Sequence, residues 1–330
     1  MTAEQAAPAV RAGARLRELL DAGALDLAVP ARGDTRERLA ALSDLARTES
    51  LSVARLAEAH TDAVAIIIEA GEQPTKGALY GVWASQTTTQ GVQFDPDSAT
   101  LTGSMGFASG LGIIDRALIT VQTVDGRSLL IDVDLTPNQT STQTPTHTPR
   151  DSIVGDTEKW STPALVETAT GPVTFDGHVV GPSSTVGPEG FYLSRPGFWH
   201  GACGPAACWA GGASGLIDAA GDMVDDDPHR RAHLGAMVAH EWVLTSLLHV
   251  AGAEIDRAPH DTRAGERRAR ALRFTVAEIC RDVVDRFGRA FGPRPHVQSR
   301  ELAQRIIDLD LYIKQHHAER ELPALSDLQQ

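Results

Sequence analysis

Lysine is nearly missing from this chain. Of 30 basic residues only Lys76, Lys159 and Lys314 are lysine; the other 27 are arginine. Positive charge is short overall as well, since 43 Asp and Glu residues leave a formal net charge of −13. A protein whose main task is gripping nucleic acid is thereby excluded, because phosphate neutralisation needs a basic surface. Cysteine is scarce too. Cys203, Cys208 and Cys280 cannot make a disulfide framework, and small buried thiols are expected instead. No run of 18 apolar residues occurs, and the start Met1-Thr2-Ala3-Glu4 lacks the charged-then-apolar pattern of a signal peptide, so a cytoplasmic protein is expected. What is present is a composition of 42% apolar and 22% charged residues, ordinary for a folded chain with a sizeable core. At 330 residues, two or three structural units are expected.

Periodicity divides the chain. Residues 9–72 place apolar side chains at three- and four-residue spacing, as in Val53, Leu56, His60, Val64 and Ile67, which predicts helices; Ser52 is a plausible N-cap, and Gly71 with Pro74 supply stop signals. From Leu79 the period becomes two, with segments such as Ala117-Leu118-Ile119-Thr120-Val121 and Ser128-Leu129-Leu130-Ile131 separated by Asp125-Gly126. This is the grammar of β-hairpins. The tract Thr136–Pro149 is polar and of low complexity, and reads as an exposed loop. From Gly197 onward the pattern is helical again, beginning with a Gly/Ala-rich segment, with predicted helices after Pro228, over 262–291 and over 299–317. Helices, strands, then four helices indicate α+β packing rather than a doubly wound parallel sheet. The expected boundaries are an N-terminal helical domain over 1–77, a central β domain over 78–190 and a C-terminal helical bundle over 191–330.

Two strings stand out at the joints. One is Leu101-Thr102-Gly103-Ser104-Met105-Gly106-Phe107-Ala108-Ser109-Gly110, followed by Asp115-Arg116-Ala117; the other is Gly81-Val82-Trp83-Ala84-Ser85-Gln86. With the three-part order, they resemble the acyl-CoA dehydrogenase superfamily over roughly residues 45–325. The resemblance implies N-terminal helices, a central β-barrel-like domain, a C-terminal four-helix bundle and an FAD cofactor. It puts Phe107 against the flat flavin ring and Ser109 at the hydroxyl that steadies charge near the reactive nitrogen. Phe107 could equally be a core aromatic on a half-buried strand. Trp83 and Ser85 fall on the strand and loop that contact flavin in the family, although the usual Thr-Glu-Pro and Gly-Ser-Asp are replaced by Ser85-Gln86-Thr87-Thr88-Thr89-Gln90.

Further resemblances concern the bundle. The family's Arg-x-x-Phe-Gly string, whose arginine reaches a neighbouring subunit's diphosphate, is replaced by Asp225-Asp226-Asp227-Pro228-His229-Arg230-Arg231, with Arg230 or Arg231 in the arginine's place. Residues 257–305 carry 12 Arg against six acidic residues, which suits either an anionic cofactor or a solvated helix face. For the base that removes a proton beside a thioester, the candidates are Glu319 after the last helix and Glu241 within the apolar string Met237–Val243. His317 lies where related flavin monooxygenases place a histidine.

The first expectation is therefore a divergent acyl-CoA dehydrogenase-type flavoprotein acting on an acyl thioester, as a homodimer or homotetramer or as a heteromer with a homologous subunit. Two alternatives stay open: a flavin-less partner subunit, and a flavin-dependent monooxygenase of the same fold.

Overall fold

A computed structural model describes residues 3–84, 91–136 and 152–328, with side chains from Pro8 onward. Three helices come first: α1 (Ala3–Asp21), α2 (Thr35–Thr48) and α3 (Leu51–Glu69). The strands follow as β1 (Tyr80–Trp83), β2 (Val92–Asp95), β3 (Thr100–Ala108), β4 (Arg116–Thr123), β5 (Ser128–Asp134), β6 (Ile153–Gly155) and β7 (Gly171–Val179). Helical structure resumes with the short α4 (Phe191–Ser194) and α5 (Gly197–Gly201), then α6 (Gly204–Met223), α7 (Pro228–Arg257), α8 (Thr262–Phe291), α9 (Arg294–Gln298), α10 (Arg300–Tyr312) and α11 (Leu322–Asp327). This is the expected α+β order.

The compact units do not follow chain order. One holds α1, the C-terminal part of α3 from Ala59, and β1 through α4 apart from Pro163–Leu165; the other holds residues 27–58, Pro163–Leu165 and everything from Pro196.

In the first unit the strands form one mixed sheet, β1-β4-β2-β3-β7-β6, with β5 also pairing β4. The period-two alternation read from sequence is only partly seen in β4: Ala117, Leu118 and Ile119 are buried in succession, and alternation appears from Ile119 through Val121 to Thr123. Ile66 and Ile67 of α3 pack on Tyr80, Leu118 and Leu130, closing an apolar core over one face. β1 and β2 both run parallel to β4 along the same side: Tyr80–Trp83 register with Arg116–Ile119, and Gln93-Phe94 with Gln122-Thr123. From Trp83 to Gln93 the chain advances ten residues while β4 advances three.

The second unit is built on close helix packing. α6 buries 13 of its 20 residues, mostly Ala and Gly. A Cβ on Gly211 would sit 1.9 Å from the Ser43 carbonyl oxygen of α2, which is why this contact needs glycine. Side chains cap the starts of α7, where Asp227 accepts from the amides of His229 and Arg230, and of α8 and α10, capped by Asp261 and Ser299. α3 differs in detail. Ser50, rather than Ser52, accepts from the Val53 amide (3.2 Å), and Ser52 is buried inside the helix.

Candidate functional site

In the first unit, the end of β1 and the end of β3 are tied together. The Trp83 indole N–H donates to the Ser109 carbonyl (2.9 Å), and the ring is 1% exposed. From Ser109 a row of hydroxyls runs inward: Ser109 Oγ lies 2.8 Å from Thr170 Oγ1, which lies 2.7 Å from Thr168 Oγ1. The Gly110 amide donates to the Thr168 carbonyl (2.7 Å), fixing this turn against the segment before β7. That segment is strained, since Ala169 holds φ at 45°, a left-handed value unfavourable for a residue with a Cβ.

The sheet register shifts between Met105 and Ala108, a β-bulge. Bulges re-aim side chains. Here the shift leaves Met105 and Ala108 buried and turns Phe107 outward, 53% exposed. Phe107 is therefore not a core aromatic. Beside Trp83 opens a cleft of about 360 Å³, whose walls include Leu111, Leu135 and Ile153 and whose rim carries Asp156 and Glu158. The size suits a small molecule. Asp156 and Glu158 disfavour a phosphate at their end of the cleft, so a phosphate-bearing ligand would have to direct that group away from them.

The structure thus brings Trp83, Ser109 and the cleft together, and presents Phe107 on the same strand end. Thr168 and Thr170 were missed in the sequence because they join Ser109 from 61 residues away. Ser85 lies outside the described residues.

The bundle candidates are scattered within the second unit. Arg230 is hydrogen-bonded to Asp225 (2.6 Å) and Arg231 lies 3.5 Å from Asp226, so both arginines are neutralised by the acidic run that precedes them. Glu241 accepts from Arg47 (3.0 Å), which also clamps Asp218. Glu319 sits exposed in a single 3-10 turn, Ala318–Arg320. His317 is exposed on the surface, 3.7 Å from Glu321. Several of the arginines over 257–305 have carboxylate partners, as in Arg268–Glu254, Arg270–Glu266, Arg286–Asp282 and Arg289–Asp285.

The neighbour of His317 behaves differently. His316 has no exposed side-chain surface, packs edge-on against Phe274 (5.7 Å between centroids), and neither ring nitrogen has a hydrogen-bond partner among the described residues. Burial lowers its proton affinity and holds the ring neutral. Around it, Arg273 donates to the carbonyls of Ala202 (3.2 Å) and Gln315 (3.1 Å) and lies 4.9 Å over Trp209, while Arg55 lies 5.5 Å over the buried Tyr312. The adjacent His316-His317 pair is visible in the sequence; which ring turns inward is not.

Solved structures share this fold over nearly the whole chain. Methanesulfinate monooxygenase MsuC from Pseudomonas fluorescens superposes with a TM-score of 0.76, at 17% identity, covering 98% of this chain and 94% of that chain. KijD3 in complex with FMN and dTDP-3-amino-2,3,6-trideoxy-4-keto-3-methyl-D-glucose gives 0.77, at 15% identity over 99% and 91%. TdsC from Paenibacillus sp. A11-2, with FMN and indole, gives 0.74, at 14% identity over 98% and 96%. The fold is acyl-CoA dehydrogenase-like. No protein-family model and no curated protein sequence matches the chain.

Proposed function

We propose that this protein is a flavin-dependent monooxygenase using FMN, and that it oxygenates an electron-rich sulfur or nitrogen centre of a small molecule. The observation that carries this reading is the contrast between the candidate bases. The dehydrogenase reaction needs a carboxylate in an apolar site, where desolvation raises its proton affinity. Glu319 is exposed and Glu241 is ion-paired with Arg47, so neither has that environment. His316 is enclosed instead: its side chain has no exposed surface and burial favours the neutral ring, with Glu321 3.8 Å from Nδ1. The similar folds of methanesulfinate monooxygenase MsuC, and of TdsC and KijD3, both seen with FMN, support the same choice.

The residues present fit the ring of a flavin better than the dinucleotide. Phe107 offers an exposed flat surface, and Trp83 with the Ser109–Thr170–Thr168 hydroxyls forms a rigid, donor-bearing wall. The arginines expected to reach a second phosphate are spent on Asp225 and Asp226. When bound and reduced, FMN would supply the electrons that activate dioxygen. Phe107 and the hydroxyl row would orient the ring, and Trp83 would exclude water from one side; in the second unit, His316 would be the group that holds a proton.

The test is a titration of the purified protein with FMN and with FAD, followed by oxygen-uptake assays with supplied reduced FMN and a panel of thioether, sulfinate and amine substrates. Expected are preferential FMN binding and substrate-dependent oxygen uptake. Dye-linked oxidation of acyl thioesters, with no substrate-dependent oxygen uptake, would return the assignment to a dehydrogenase. Absence of any flavin binding would leave the partner-subunit reading.

A further inference from the structure

α7 and α8 pack side by side within the second unit, joined by the short turn over residues 258–261. A groove of about 350 Å³ runs along their seam. Its α7 side carries Leu247, Val250 and Glu254, and its α8 side Arg267, Ala271 and Thr275, each set recurring at three- or four-residue spacing and so forming one stripe. Ala251 (3% exposed) and Leu272 (5%) make the floor, and Leu325 of α11 adds an apolar wall. The volume is that of a small-molecule site.

The groove has two unlike ends. Helices joined by a short turn run in opposite directions, and the hydrogen bond from Arg268 Nε to Glu254 (3.1 Å) fixes the register. Glu254, Arg267 and Arg268 therefore gather at the end nearer the turn, whereas Leu247 and Thr275 stand at the far end. The stretch from Leu247 to Glu254 covers about 10 Å at the helical rise. An apolar channel of that length thus leads to a polar head.

Charge at that head is not balanced. The Arg268 side chain is 7% exposed and engages Glu254 through Nε; its terminal nitrogens make no hydrogen bond among the described residues. Arg267 is exposed and has no ion-pair or hydrogen-bond partner among the described residues, and the same holds for Arg263, one turn earlier on the same stripe. The acids close by in sequence are committed elsewhere, since Asp261 caps α8 and Glu266 binds Arg270. In a chain of net charge −13, this is a local surplus of positive charge at the end of an apolar groove. An anion relieves it. The planar guanidinium fork matches a carboxylate, and Glu254 in the lining opposes the additional charges of a phosphate or a coenzyme A thioester.

We propose that the α7–α8 groove binds a medium-chain carboxylate, with its chain along Leu247, Val250, Leu272 and Leu325 and its head group held by Arg267 and the terminal nitrogens of Arg268. None of these side chains belongs to the site built on Trp83, Phe107, Ser109 and His316, so the proposal does not rest on the flavin reading. Because Leu325 comes from α11, occupancy fastens the C-terminal helix onto α8.

Isothermal titration of the full chain at low salt, with octanoate, octan-1-ol, octylammonium and acetate as probes, tests it. Octanoate is expected to bind one per chain with Kd on the order of 100 µM. Octan-1-ol, which keeps the chain and lacks the charge, should bind about tenfold more weakly, and octylammonium and acetate should show no saturable binding. Raising the salt should weaken octanoate binding, because Arg267 is exposed. Arg267→Gln should weaken it about tenfold, and Ala271→Trp, which fills the groove, should abolish it; circular dichroism and thermal melting check the fold of both. The exposed position of Arg267 keeps the first variant informative even if the second fails to fold. The proposal is overturned by absence of saturable octanoate binding, by octanoate binding that is unchanged in folded Arg267→Gln, or by octan-1-ol or octylammonium binding as tightly as octanoate, which would mark a plain apolar docking face.

Discussion

Replacing His316 by leucine separates the chemistry assigned to this ring from its cost to the fold. In the folded chain the imidazole has no exposed side-chain surface and neither nitrogen makes a hydrogen bond, although Nδ1 lies 3.8 Å from Glu321. Leaving a buried polar group unsatisfied costs about 1–3 kcal/mol, whereas a volume-conserving apolar exchange usually costs less than about 1.5 kcal/mol. His316→Leu should therefore be neutral or stabilising, by up to about 2 kcal/mol at pH 7.5. The pH dependence follows from the lowered proton affinity of the buried ring. Above the ordinary histidine range both folded and unfolded chains carry a neutral ring and nothing changes with pH. Below it the unfolded chain takes up a proton that the folded ring refuses, so stability falls as pH falls, by at most about 1.4 kcal/mol per pH unit for one such group. The Leu variant should lose that part of the acid slope. Urea unfolding monitored by circular dichroism between pH 5 and 8 measures both quantities. A variant about 3 kcal/mol less stable at pH 7.5, with the acid slope unchanged, would refute the reasoning by showing that the ring was satisfied and structural. Substrate-dependent oxygen uptake that survives in the folded variant would remove His316 from the proposed mechanism.

Other expectations follow from single contacts. Phe107→Ala should lower FMN affinity about tenfold while leaving the melting temperature nearly unchanged, since the ring is already half exposed; fluorescence titration and thermal melting read the two effects. Gly211→Ala drives a Cβ into the Ser43 carbonyl, a backbone atom that cannot step aside, and should cost about 3 kcal/mol or more in denaturant unfolding. Arg47→Met strips Asp218 and Glu241 of their shared partner, but the site is partly solvated, so the loss should be about 1 kcal/mol and should shrink in high salt. The buried thiols, with Cys203 pushed up to about 11 and Cys208 and Cys280 higher still, should react with a disulfide reagent only in denaturant.

The sequence carried the fold well because fold lives in periodicity. The change from three- and four-residue spacing to alternation near Leu79, and back after Gly197, is a property of neighbouring residues, and the α8 span of 262–291 emerged from it directly. The site was harder to read because its parts meet across long separations. Phe107 and Ser109 could be singled out from one string, but Thr168 and Thr170, which extend the hydroxyl row, come from a stretch with no motif. In the bundle the difficulty is finer. His316 and His317 are adjacent, and only the 3-10 turn over Ile313–Gln315 decides that one is enclosed and the other exposed. The aspartates at 225–227 looked like an obstacle to a phosphate and became, on the folded chain, the neutralising partners of Arg230 and Arg231 and the cap of α7.

The paired half-strands β1 and β2 have an implication for how such a protein changes over time. Each is held to β4 by its own backbone register. Backbone pairing is indifferent to most side-chain exchanges outside the core, so the ancestry of such a scaffold survives in its strand order long after the diagnostic strings have been erased.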